Sequence, residues 1–262
     1  MHSFKKDRIN LPISLLKLVW DNNLGRVFKL YLYLSCISDG IINKLDIDVP
    51  AVQKAIGIKD RRTYAKYLAQ LHSLNWIGLN HDSGNYFIRG IKRVCTISNL
   101  KLDKNAEFSI KNIKRINQFI VAALVSEPIY RQKNYKEIVL PRLAEHALKR
   151  DGALQCSAGL KNKDYYSLSL KSISELLCCS ISRASELKTK SKSAKFIRVK
   201  KHYRLIKKLS KPDFKIRTFL YESNPDLLGK IVFRKNRNGK IRVMEQRADE
   251  IIPQISIKNL KN

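Results

Sequence analysis

Apolar residues recur at helical spacing over residues 24–38, and this run is the first clear element of the chain. The spacing predicts a helix, which Asp39-Gly40 ends. Residues 41–49 then alternate between apolar and polar types, which predicts a short strand or an extended connection. The apolar positions that carry the helix are Val27, Leu30, Tyr31 and Leu34.

Two helices joined by a tight turn are predicted next. Pro50 suits the first turn of a short helix, and Gly57 suits a left-handed residue at its end. Asp60 is the predicted N-cap of a second helix that reaches about Asn75. The side chains of this second helix that are spaced to face inward are Tyr64, Leu68, Leu71 and Leu74.

A strand pair follows the second helix, at residues 76–80 and 86–91, with a turn-rich tip at 81–85. The order helix, turn, helix and strand pair therefore occupies residues 24–93. This order recurs over residues 113–208, and the recurrence indicates a second unit of the same kind.

In the second unit, residues 113–150 are predicted to be mainly helical and 151–164 to form a polar loop. Ser169 is the predicted cap of a short helix, and Ser182 the predicted N-cap of the next one. The predicted strand pair spans 195–200 and 203–206, around Lys201-His202.

The last part of the chain predicts a basic hairpin. Asn238-Gly239 is a strong hairpin turn signal between residues 230–233 and 240–244. The hairpin packs as an edge on the second unit, or it lies in a groove as a basic ribbon. Residues 254–262 are expected to fray.

Composition adds a large positive charge to this picture. The 262 residues include 52 Lys and Arg against 22 Asp and Glu, a net charge of +30. The halves 1–150 and 151–262 carry +14 and +16, so the charge is not confined to a tail. A basic field of this size repels itself in a compact fold unless a polyanion neutralises it, and nucleic acid is the usual polyanion. With 44% hydrophobic residues, the chain can also bury a core.

Membrane and disulfide chemistry are not expected. No apolar run reaches the length of a transmembrane helix, and the first residues lack the apolar core of a signal peptide. The cysteines are odd in number and none are spaced as C-x-x-C, so neither a disulfide framework nor a zinc finger fits. A reducing cytoplasm is the expected compartment, with association to a nucleoid or a virion left open. The cysteines are Cys36, Cys95, Cys156, Cys178 and Cys179.

The first unit resembles the winged helix-turn-helix family. The stretch from Ile58 to Tyr64 combines a polar turn with an Arg-Thr pair that opens the second helix, and leucines follow on one face. Asn75-Trp76-Ile77 then supplies the bulky start of a strand. The second unit resembles the same family less closely, because residues 191–194 make a poor helix end.

We therefore expect an α+β, predominantly helical fold with two winged-helix domains and a C-terminal β-hairpin. The predicted parts are an N-terminal extension (1–23), a first winged-helix domain (24–93), an extended linker (94–112), a second winged-helix-like domain (113–208), and a basic hairpin and tail (209–262).

The second helix of the first unit is the best candidate for contact with DNA bases. A helix fits the major groove of B-DNA, and the arginine fork can bind O6 and N7 of guanine together. The helix N-terminus also attracts phosphate. The alternative is a solvated, charged helix face. The candidate DNA-binding residues are Lys59, Arg61, Arg62, Thr63, Lys66 and Gln70.

In the second unit, phosphate contact is expected rather than base reading. Residues 183–217 hold 14 basic residues against Glu186 and Asp213, a density that indicates a polyanionic partner. The wing of this unit, around Lys201, would lie along the DNA backbone or enter the minor groove. The alternative is a mobile basic loop. The candidate residues here are Arg183, Ser185, Lys188, Lys190, Lys192, Lys201 and Arg204.

No catalytic constellation is evident, so the protein is not expected to be an enzyme or to need a cofactor or metal. The five histidines are scattered, and no H-E-x-x-H or P-loop motif occurs. Tyr165-Tyr166 lacks the metal-binding histidines that accompany catalytic tyrosine pairs. Asp46 and Asp48 lack a third acidic partner.

Two non-identical winged helices in one chain resemble plasmid and phage replication initiators, which implies sequence-specific binding of double-stranded DNA that controls the start of replication. A transcription regulator with the same modules is the nearest alternative. A nonspecific packaging or architectural protein is the other, and the even spread of charge favours it. Whether RNA competes for the surface, and whether the chain forms a homodimer, are left open.

Overall fold

The computed structural model describes residues 6–102, 104–135, 137, 167–209, 230–235, 240–247 and 249–259. Over these residues the protein is a mixed α+β fold, about 52% helical and 25% strand. The helices are α1 (Ile13–Asp21), α2 (Gly25–Ile37), α3 (Val49–Ile56), α4 (Arg61–Ser73), α5 (Ile91–Ile97), α6 (Ile116–Asn134), α7 (Leu170–Leu176) and α8 (Ile181–Ser193). The strands are β1 (Arg8–Pro12), β2 (Ile41–Asn43), β3 (Ile77–Leu79), β4 (Asn85–Ile88), β5 (Lys104–Ser109), β6 (Ile197–Lys200), β7 (Tyr203–Leu209), β8 (Lys230–Lys235), β9 (Ile241–Gln246), β10 (Glu250–Pro253) and β11 (Ile257–Asn259).

Local capping chemistry sets α3, and the predictions for it are confirmed. The Asp48 side chain accepts a hydrogen bond from the Ala51 N–H at 3.0 Å, and Pro50 stands in the first turn. Gly57 ends the helix in the left-handed region, with φ of 76°, where a side chain would be strained. Between α2 and α3, the predicted extended stretch is the strand β2 followed by a single 3₁₀ turn, Lys44–Asp46.

The N-terminus of α4 is also fixed as predicted. Asp60 accepts from the Thr63 N–H at 2.7 Å through one carboxylate oxygen and from the Thr63 hydroxyl at 2.6 Å through the other. Tyr64 and Leu71 are buried, while Leu68 and Leu74 are partly buried against the core. The predicted inward face is therefore confirmed.

The strands after α4 form one small sheet in the order β2-β4-β3. Ile77 pairs with Ile88 and Ile41 with Phe87, so β4 is the central strand. Trp76 enters this sheet from the end of α4, and its ring lies 5.3 Å from that of Tyr31 in α2. We refer to residues 25–88 as the N-terminal repeat.

Residues 116–253 contain the same plan and are the C-terminal repeat. The helix α4 spans 61–73 and α8 spans 181–193, an offset of 120 residues at both ends. The helix ends match in their hydrogen bonds as well: Asn75 N–H donates to His72 and Lys195 N–H to Lys192. Both Asn75 and Lys195 are left-handed, with φ of 57° and 65°.

One cap in the C-terminal repeat differs from the prediction. Ser169 caps α7 as expected. The N-cap of α8, however, is Ser180, whose hydroxyl accepts from the Arg183 N–H at 3.2 Å, and Ser182 already lies within the helix. Cys178 lies in the left-handed region, with φ of 49°, directly after α7. Ser180 is then extended and takes the N-cap position, two residues before the predicted Ser182.

The predicted strand pair around Lys201-His202 is wrong. β6 pairs with β10 rather than with β7, and β7 pairs with β9. Ser167 also bridges Glu250 on the other side of β10. The resulting order, Ser167-β10-β6, matches β2-β4-β3 of the N-terminal repeat, but its central strand arrives about fifty residues later in the chain.

The predicted basic hairpin is confirmed as β8 and β9, which pair from Lys230↔Gln246 to Lys235↔Ile241. It packs on an edge of β7 in the sheet order β7-β9-β8, the first of the two predicted placements. Its own small core consists of Ile231 and Val243.

The flanking segments belong to the folded structure, and the prediction of a frayed C-terminal end is wrong for residues 257–259. In the predicted N-terminal extension, β1 and α1 bury Leu11 and Leu15 completely. The predicted extended linker includes the last turns of α5 and the strand β5, the centre of a β1-β5-β11 sheet. Residues 257–259, predicted to fray, pair with β5 because its free edge accepts them.

One hydrophobic core runs through both repeats, from Ile9 to Ile255. The helix α1 joins them directly. Trp20 donates its ring N–H to the Leu177 carbonyl at 3.0 Å, and Lys17 donates to the Leu176 carbonyl at 2.9 Å. These donors satisfy the carbonyl groups left open at the end of α7.

Candidate nucleic-acid interface

The outer face of α4 carries cations that no acidic side chain of the described residues pairs with. Arg61, Arg62 and Lys66 are exposed, and Gln70 is half-exposed on the same helix. Hydrogen bonds from Thr63 lower the pKa of Asp60, so this cap stays a carboxylate. It holds the first turn of α4 in place while the two arginines remain open to solvent.

The turn before α4 and the tip after β3 flank this face. Lys59 is exposed in the turn, and Thr63 lies half-buried just behind it. At the tip, Asn80 accepts from the N–H groups of Asp82 and Ser83 at 2.9 and 3.3 Å, which orders a short Asx turn. His81 is exposed at this tip.

The corresponding face of α8 is neutralised within its own helix. Glu186 forms ion pairs with both Arg183 and Lys190. Hydrogen bonds from Lys190 and then Arg183 lower the pKa of Glu186, so it is charged at neutral pH. Lys192 is exposed outside this triad, and Ser185 is half-buried.

The prediction that Lys188 contacts phosphate is wrong. Its side chain is 10% exposed and its ammonium lies 2.6 Å from Asp249, which is 13% exposed. A buried ion pair of this kind ties α8 to the segment before β10 and leaves no surface for a ligand. The helical position, one turn after Ala184 on the inner face, is what directs it inward.

Lys201 lies in the connection between β6 and β7 and Arg204 lies in β7; both are exposed, and because the two strands do not pair with each other this connection is not a hairpin tip. The bend between β6 and β7 is held by His202, whose ring nitrogen lies 2.7 Å from Glu250. Lys200 also approaches Glu250 at 3.6 Å. Their basic neighbours in the three-stranded sheet include Arg234, which stacks over the Tyr203 ring at 4.3 Å.

The structure adds a basic cleft that the sequence did not indicate. It has a volume of about 570 Å³ and lies between the turn before α4 and the first turns of α2 and α6. Lys29 and Lys114 meet there although they are 85 positions apart, so no local pattern signals them. Its cationic side chains are Arg26, Lys29, Lys59 and Lys114.

The described residues also bear on metal binding and on membrane insertion. Among them, no three His, Cys, Asp or Glu side chains are grouped as metal ligands would be, and no helix has the length and apolarity needed to cross a bilayer. Asp48, one of the two acids considered in the sequence, caps α3. Tyr165-Tyr166 and Cys156 lie outside the described residues. Cys36 and Cys95 are buried free thiols, and Cys178 is exposed.

No family model, curated protein or solved structure matches the chain.

Proposed function

We propose that the protein binds double-stranded DNA in a sequence-specific manner through two winged helix-turn-helix units, with α4 and α8 as the recognition helices. The observation that carries the proposal is the repeat at an offset of 120 residues, in which two helices, a four-residue turn and a pair of sheet strands recur. A charge of +30 supplies the attraction to a polyanion. Charge alone would not require the repeat.

The N-terminal unit is the base-reading one. Its α4 begins with two exposed arginines on a capped first turn, the part of a recognition helix that meets base edges. Their guanidinium groups lack acidic partners among the described residues, so no ion pair has to break when they bind guanine. The ordered tip at residues 80–84 would act as the wing.

The C-terminal unit is proposed to contact mainly phosphate. Its α8 carries Ile181 and Ser182 where α4 has the two arginines, and these cannot make the bidentate guanine contact. The exposed Lys192, Lys201 and Arg204 remain available to the backbone. A monomer with two unequal units would grip an asymmetric DNA site.

The biological role is proposed to be control of replication initiation at repeated sites, on the strength of the two-unit plan. Transcription regulation is the second candidate, since it uses the same contact with DNA. Nonspecific packaging is the third, favoured by the basic sheet β7-β9-β8, which adds charge without a recognition helix.

The test is selection from a random duplex pool at about 150 mM salt, with the bound DNA sequenced. An enriched motif of two unlike halves supports the proposal. Tandem copies of it at a replication origin favour initiation, and single copies at promoters favour regulation. Absence of any enriched motif, with affinity that collapses as salt rises, means that the packaging function replaces it.

A further inference from the structure

The basic cleft next to α4 lies where the two repeats meet. Lys59 and Thr63 line it from the N-terminal repeat, and Asn117 and Gln118 line it from α6. The Gln118 carbonyl also accepts a hydrogen bond from Ser191 of α8 at 3.0 Å. The cleft therefore touches the base-reading helix on one side and the frame of α8 on the other.

Four cations and a single acid line this cleft, so its net charge is positive. Among the described residues, no ion pair joins any of them to a carboxylate. The one acid in the lining is Asp60, whose oxygens accept hydrogen bonds from Thr63 and whose single charge offsets one of the four cations. Positive charge in the cleft is therefore left for a ligand to neutralise.

Lys29 is the most constrained of the four. Its ammonium donates one hydrogen bond, to the Lys114 carbonyl at 3.0 Å, and so retains donors for a ligand. Burial lowers the pKa of Lys29, and the nearby charges of Arg26 and Lys114 lower it further. Holding a half-buried amine between two like charges is unfavourable unless an anion joins them.

The backbone adds to the attraction for an anion. Arg26, Thr63 and Asn117 all stand in the first turns of long helices, so three helix N-termini border the cleft. Gly25 leaves room for the Asn117 side chain at the edge of the cleft. The Asn117 amide oxygen would lie 2.2 Å from a side-chain carbon at that position, so a larger residue there would require the Asn117 side chain to move.

We propose that this cleft holds one phosphate group of the DNA backbone beside the base pairs that α4 reads, with Arg26 and Lys29 donating to it. The inference rests on the proposed function, because the phosphate comes from the bound duplex. It extends that function by fixing the register of α4: a phosphate held between the two repeats sets how far the two arginines enter the groove.

The experiment replaces the backbone phosphates of the selected duplex one at a time with neutral methylphosphonates and measures the affinity of the full chain by fluorescence anisotropy. Lys29→Gln is expected to bind the unmodified duplex about tenfold more weakly. Its slope of log K against log salt is expected to be shallower by about 0.9. One methylphosphonate position should weaken the wild-type protein about tenfold and leave Lys29→Gln unaffected.

Two variants serve as controls. Lys29→Arg keeps the charge and should keep the response to that position. Lys92→Gln removes an exposed lysine of α5 outside the cleft and should respond to every position as the wild type does. Misfolding is checked by thermal unfolding at low salt, where Lys29→Gln is expected to be no less stable than wild type because the crowded charge is gone.

The source of the phosphate is separated by adding inorganic phosphate at constant ionic strength. If each methylphosphonate weakens wild type and Lys29→Gln by the same factor, no position is coupled to Lys29. That result overturns the inference while leaving DNA binding intact. If inorganic phosphate then stabilises wild type but not Lys29→Gln, the cleft takes a free phosphate ligand instead. If no duplex binds at all, the proposed function fails together with this inference.

Discussion

Position 66 and its counterpart 120 residues later carry opposite charges on the same backbone. Lys66 of α4 is exposed and has no acidic partner among the described residues, whereas Glu186 of α8 is paired with two cations of its own helix. Arg62 likewise corresponds to Ser182. The exposed faces therefore differ: α4 presents arginines without acidic partners among the described residues, whereas Arg183 and Lys190 of α8 are paired with Glu186.

The buried residues of the two repeats occupy equivalent positions. Trp76 and Phe196 enter their sheets from the same place, each after a left-handed residue, and each packs on the long helix of its own repeat. The exception is Leu68, which corresponds to the buried Lys188. The two repeats therefore share their fold through equivalent buried residues. The charge of their exposed helix faces cannot be inferred from the shared fold and has to be determined for each residue.

The largest expected effect tests that exception. Lys188→Ala should cost about 3–5 kcal/mol of unfolding free energy, because Asp249 is left charged and buried. Urea denaturation measures it, with Lys190→Ala as the exposed control, expected within about 0.5 kcal/mol of wild type. Lys188→Leu combined with Asp249→Leu, which imitates Leu68, should recover most of the loss. A loss below about 1 kcal/mol for Lys188→Ala would mean that this pair is not structural.

The next effect separates the two proposed recognition helices, α4 and α8. Arg62→Ala should weaken the selected DNA site by about 1–3 kcal/mol and random DNA much less, because a bidentate base contact is lost. The matched Ser182→Ala in α8 should change neither. Binding titrations on both duplexes decide it. An equal loss on selected and random DNA for Arg62→Ala would show that α4 does not read bases.

A smaller effect is expected when a charge is removed from the exposed face of α8 or of α4. Glu186→Gln releases Arg183 and Lys190 and should tighten binding to any duplex, with a salt slope steeper by about 0.9 for each phosphate newly contacted. Lys66→Gln should change the slope in the opposite direction by a similar amount. Unchanged slopes for Glu186→Gln would place α8 away from the DNA backbone.

The smallest effect concerns the thiols. Burial raises the pKa of Cys36 and of Cys95 to about 11, so at pH 8 these thiols of the N-terminal region should resist alkylation while the exposed Cys178 reacts. Peptide mapping reports each position. The folded state holds these two protons up to about pH 11, whereas the unfolded state loses them near pH 9, so stability should fall across this range. Alkylation of Cys36 at pH 8 without unfolding would contradict the burial.

Most of the local structure was predictable because it depends on neighbours in the sequence. The caps at Asp60 and Ser169, the left-handed Gly57 and the β8–β9 hairpin all follow from residues within one turn. A strand that comes from a distant segment has no signal in the residues beside its partner. The sequence therefore did not predict β10, and it predicted that β7 pairs with β6.

The candidate site was predictable in part for the same reason. The exposed face of α4 follows from its own periodicity, but Lys188 is buried by Asp249, 61 positions later. The cleft unites Arg26, Lys29 and Lys114 only through tertiary packing. An internal similarity at an offset of 120 residues aligns Asn75-Trp76-Ile77 with Lys195-Phe196-Ile197. This similarity is a sequence signal that predicts the bounds of the second repeat more accurately.

The late arrival of β10 sets an order for folding during synthesis. β3 meets β4 within about a second of translation, since only the short tip separates them, whereas β6 must wait roughly 3–10 s for β10 at ordinary elongation rates. During that interval the nascent chain carries a finished first unit and an open strand edge in the second. The protein is thus able to complete its N-terminal repeat on the ribosome before the strand that completes the C-terminal repeat has been synthesised.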